Sequence, residues 1–85
     1  MATIARYDTG NGPTTIEITP WVILTAARER RSAGITNDDI SLAELTCDLV
    51  WRELQRQGST ATREEFEKSL VGDVPTFLDE SPDPT

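Results

Sequence analysis

The 85 residues allow one domain at most. A domain of this size buries only about 60% of the surface its unfolded chain exposes, which excludes a deep pocket lined by many precisely held groups. With 15 acidic against 8 basic side chains the net charge is −7, and like charge repels phosphates and anionic lipid heads, so nucleic acid and membrane are poor partners and a basic protein surface is a better one.

Taken in chain order, the first 18 residues read as a β-hairpin over 2–18. Ile4 and Tyr7 bring β propensity, Thr14-Thr15-Ile16-Glu17-Ile18 alternates polar and apolar, and Asp8-Thr9-Gly10-Asn11-Gly12-Pro13 between them is dense in turn formers. An isolated hairpin is marginal in water, so it needs a helix or a second copy to lie on, and a flexible arm is the competing reading. Thr19-Pro20 then reads as a helix start, since Pro in the first turn loses no hydrogen bond and Thr is a good cap. This helix runs over about 20–32 with Trp21, Ile23, Leu24 and Ala27. It closes on Arg28, Arg30 and Arg31, where cations suit the negative end of the helix dipole, and Gly34 stops it.

Ile35 to Ile40 is a polar connector containing Asn37, Asp38 and Asp39. Ser41-Leu42-Ala43-Glu44 has the spacing of a capping box and opens a second helix over about 41–57, ended by Gly58. Placed at 100° per residue, its Leu42, Leu45, Leu49, Val50, Trp51 and Leu54, with Ala43, Thr46 and Cys47, spread over roughly 240° of circumference, where about 100° covers one neighbour. The helix therefore wants partners on at least two sides, supplied by the rest of the chain or by a second subunit. Thr62-Arg63-Glu64-Glu65 is a second capping box, opening a short helix over about 63–71 with Phe66 and Leu70 on one face. Residues Asp73 to Leu78 read as a segment crossing the surface, and Asp79 to Thr85, with Pro82 and Pro84, as a disordered acidic tail. The predicted fold is a mainly α domain over residues 1–78: a short N-terminal hairpin followed by three helices.

The chemistry available is sparse. Histidine is absent, which removes the commonest general base and metal ligand. With one cysteine, Cys47, neither an internal disulfide nor a Cys/His zinc site is possible, and Cys47 reads as a small core residue. Asp38-Asp39 and Glu64-Glu65-Glu67 read as solvated acids in first helical turns. No catalytic residue, cofactor site or metal site is expected, and the chain is not expected to be an enzyme. No run approaches the ~20 apolar residues of a membrane span, and no signal-peptide pattern is present, so the expected location is the cytoplasm.

The order of these features resembles the tail assembly chaperones of long-tailed bacteriophages. The resemblance spans about Thr14 to Pro84. It is carried by Ile18-Thr19-Pro20-Trp21, by the segment from Ser41 to Gly58 rich in Leu, Ala and Trp, by Thr62-Arg63-Glu64-Glu65-Phe66-Glu67, and by the acidic, Pro-containing end. It implies a protein that binds the tape measure protein and keeps it soluble until the tail tube forms, with the tail tube protein as a further contact. It also implies self-association into a homo-oligomer, a longer frameshifted form, and departure before the virion is finished. The expected protein-binding residues are Trp21, Leu24, Arg28, Arg31, Leu45, Leu49, Trp51 and Phe66. The alternatives are a small acidic inhibitor or antitoxin-like nucleic-acid mimic acting through its acidic end, and a minor structural joiner in the virion.

Overall fold

The computed structural model describes residues 3–35 and 41–78. Strand β1 (Thr3–Tyr7) turns back into β2 (Thr14–Ile18), three helices follow as α1 (Pro20–Ser32), α2 (Leu42–Arg56) and α3 (Arg63–Ser69), and the chain returns as β3 (Thr76–Leu78). Strand β1 lies in the centre of a three-stranded antiparallel sheet of order β2-β1-β3. Ala5 stands opposite both Ile16 and Phe77, so one face of the sheet carries Ala5, Tyr7, Ile16, Ile18 and Phe77 toward the core.

The mainly α expectation is thereby corrected: the fold is α+β, three helices with an open three-stranded antiparallel sheet on which α2 packs. The strand that sequence reading missed is three residues long. Pro75 ahead of it is buried, and Val71 N–H donates to the Asp8 carbonyl at 2.9 Å, tying the approach to the hairpin. Such a short strand has no alternation to display, and its conformation comes from β1 supplying a partner. The tail and the Asp38-Asp39 connector lie outside the described residues.

The wide apolar arc of α2 finds its partners within the chain. Thr46, Cys47, Asp48, Leu49 and Val50 are all buried, and five consecutive residues exceed one 3.6-residue turn, so α2 is enclosed on every side at its middle. It packs on the sheet through β2 and β3, on α1 and on α3. Phe66 of α3 reaches back to Tyr7, the two rings meeting edge to face at 5.9 Å.

Both long helices end the same way. Gly58 N–H donates to the Gln55 carbonyl and Ser59 N–H to that of Leu54, while Gly34 and Ile35 do the same for Arg31 and Arg30. This is the Schellman closure, with glycine at positive φ, +76° at Gly34 and +110° at Gly58. Thr62 and Glu65 form the complete capping box, whereas Ser41 accepts from Glu44 N–H without the return bond. Thr19 makes no side-chain cap; its backbone N–H is taken by α2 instead.

Candidate functional site on helices α1 and α2

Helix α1 buries only a narrow stripe. Val22 and Ala26, one turn apart, enter the core at 4% and 0% exposure. The opposite side carries Trp21, Leu24, Arg28 and Arg31, spaced i, i+3, i+7 and i+10, which places them on one face. Trp21 is 61% exposed and Leu24 54%, so this outward face begins apolar and ends cationic. An exposed Trp and Leu side by side mark a contact surface more than a solvated one.

Between this helix and α2 runs an open cleft of about 360 Å³, walled by Trp21, Val22 and Thr25 on one side and by Trp51, Arg52, Gln55 and Arg56 on the other. Trp51 is half-buried and its indole N–H donates to the Ala61 carbonyl at 3.0 Å. Gln55 donates to the same carbonyl. The indole thus has its polar end satisfied, and its ring forms part of the wall. Thr25 Oγ1 is buried without a hydrogen-bond partner among the described residues.

Two buried carboxylates fix the walls. Glu53 is fully buried; its Oε1 accepts from Thr19 N–H at 2.8 Å, and its Oε2 accepts from Arg56 and Gln57. Burial raises its pKa, but the hydrogen bonds from Arg56, Thr19 and Gln57 outweigh burial and bring it from 4.5 to about 2. This one side chain therefore holds the first turn of α1 against the last turn of α2. Asp48, 3% exposed, gathers one arginine from each helix: Arg52 Nε at 2.9 Å, Arg63 Nη1 at 3.2 Å and Arg30 Nη1 at 3.9 Å. Arg52 also binds Glu29, and that hydrogen bond holds the Glu29 carboxyl below its ordinary value.

The expected protein-binding residues divide into two sets. Trp21, Leu24, Arg28 and Arg31 share the outer face of α1, and Trp51 faces Trp21 across the cleft. Leu49 and Phe66, at 4% and 5% exposure, belong to the core, and half-buried Leu45 packs against it; none of these three lines the cleft. Sequence reading did not single out Asp48 and Glu53 as organising groups. Their signal was the placement of an acid inside or beside a wide apolar arc, where an acid survives only if it is paired.

Cys47, 6% exposed, has its thiol pKa pushed up to about 11 by burial and by neighbouring Glu67. That is the opposite of an activated nucleophile. A second open cleft, about 470 Å³, lies between the hairpin and the approach to β3, with Arg6, Asp8 and Asp73 on its walls. Its aromatic ring, Tyr7, is already engaged by Phe66. Among the described residues no group of three metal-ligating side chains converges, and no helix is long and apolar enough to cross a membrane. Compared with family models, curated proteins and solved structures, the chain matches none.

Proposed function

We propose that this chain is a protein-binding assembly chaperone of the phage-tail kind its sequence resembles, holding a helical client such as a tape measure protein at the α1–α2 surface. The observation that carries the reading is the pairing of exposed Trp21 and Leu24 with the Trp51 cleft beside them. An amphipathic client helix lays an apolar stripe into such a groove, and Arg52 and Arg56 on its wall, with Arg28 and Arg31 on the outer face of α1, suit acidic residues flanking that stripe. The chemistry of a chaperone is this surface alone, and on this reading the chain is not an enzyme.

The test is co-expression with a phage tape measure protein. The parent chain is expected to keep that client in the soluble fraction. Trp21→Ala with Leu24→Ala, which removes exposed groups and leaves the core intact, should return the client to the pellet. Full rescue by the double variant would remove this face from the function.

A further inference from the structure

The sheet has two unlike edges. The β3 edge is three residues long and follows the buried Pro75. The β2 edge is five residues long, and among the described residues no strand pairs with its outer side. Its register with β1 is one-to-one from Thr14 to Ile18, so no bulge turns it away. It contains neither Pro nor Lys, and Thr14, Thr15, Ile16 and Ile18 are all β-branched. Bulges, Pro and Lys are the usual blocks to strand addition, and without them the outward N–H and C=O groups of β2 are a template for another strand.

A second copy of β2 fits that template. Antiparallel pairing about a two-fold axis at Ile16 matches all five residues: Thr14 with Ile18, Thr15 with Glu17, and Ile16 with itself. An axis at Glu17 would set Glu17 against Glu17, and one at Thr15 would bring Pro13, which has no N–H, into the ladder. With the axis at Ile16, the period of two keeps Ile16 and Ile18 of both copies on the helix-bearing face. There Ile16, half-buried at the edge, meets its counterpart. The opposite face supplies charge complementarity. Arg6 stands opposite Thr15, so Arg6, Thr15 and the copy's Glu17 form one row. Arg6 and Glu17 are both exposed, and among the described residues neither makes an ion pair. Two strand spacings of ~4.8 Å separate them in the row, a gap that the long arginine and the glutamate bridge above the short Thr15. The axis repeats this contact, so two pairs form.

We propose that β2 is the seam of a homodimer: two copies of the chain join edge to edge into a six-stranded antiparallel sheet, with Arg6 of each paired to Glu17 of the other. The seam lies on the sheet and the proposed client surface on the helices, so this inference is independent of the reading above and is tested with no client present.

Sedimentation equilibrium on the full chain is expected to show a mass rising with concentration from 9.4 kDa toward twice that value. Glu17→Arg and Arg6→Glu each turn two attractions into two repulsions and should each weaken dimerisation about tenfold or more. Both positions are exposed, and far-UV circular dichroism checks that the variants fold. The chain carrying both exchanges should dimerise like the parent. Thr15→Cys chains mixed with Glu17→Cys chains should on oxidation give the mixed disulfide-linked dimer in preference to either like pair. Cys47, buried and with its thiol pKa near 11, does not compete. A parent chain that stays at 9.4 kDa at every concentration overturns the proposal. So does a dimer indifferent to both single exchanges, or cross-linking that favours the like pairs, because the copies would then meet at another surface.

Discussion

Replacing Glu53 by Gln tests the staple that sets the cleft. The substitution keeps volume and leaves one oxygen for Thr19 N–H, but it turns a carboxylate oxygen into an amide donor facing two donors, Arg56 and Gln57. The magnitude follows from linkage. A pKa brought from 4.5 to about 2 by the fold corresponds to about 3 kcal/mol at neutral pH. A chain of 85 residues has on the order of 4–13 kcal/mol in all, so the loss is a sizeable share. Because the folded pKa is depressed, this stability is present above about pH 4.5 and is lost as pH falls toward 2. Urea unfolding followed by far-UV circular dichroism should therefore separate parent and Glu53→Gln by about 2–3 M at pH 7, taking a slope near 1 kcal/mol/M. The gap should shrink to under about 1 kcal/mol near pH 2.5. A variant that unfolds with the parent at pH 7, or that keeps the parent's acid limb, would refute the reasoning.

Other outcomes follow from the same structure. Asp48→Asn leaves arginines from three helices around a neutral amide and should cost about 3 kcal/mol or more in urea unfolding, since breaking a buried pair strands its partners. Gly58→Ala forces a side chain into positive φ at the end of α2 and should cost about 1 kcal/mol, read as a lower thermal midpoint. Cys47 should not react with a thiol reagent in the native state at pH 8 and should react fully once the chain is unfolded. Phe77→Ser removes a half-buried ring from the inner face of β3 and should destabilise the fold by about 2 kcal/mol or more, checked by thermal unfolding. An unchanged midpoint there would mean that β3 does not contribute to the core.

Much of the chain could be read before its structure. The hairpin, the Pro20 helix start, the glycine stops and the Thr62–Glu65 box are local devices, each specified by residues within four or five positions of one another. What was not legible is non-local. The Thr76–Leu78 strand exists because β1 offers an edge some seventy residues earlier in the chain. The wide apolar arc of α2 correctly signalled more than one neighbour, but the sequence does not say whose. The sheet and the two flanking helices supply them, which is why Leu49 is a core residue. The site was legible in part: Trp21 and Leu24 fall on the face opposite Val22 and Ala26 because Trp21 sits one position outside the inward stripe. The roles of Glu53 and Asp48 depend on donors from other elements, Thr19 and Arg56 for one and Arg30 and Arg63 for the other, and no spacing within α2 announces them.

The most direct measurement of the central claim is the footprint of the client on this chain by amide hydrogen exchange. With tape measure protein bound, slowed exchange is expected over Trp21 to Arg31 of α1 and Arg52 to Arg56 of α2, with α3 unchanged. Protection confined to α3 or to the exposed edge of β2, with the α1–α2 surface unaffected, would contradict the account.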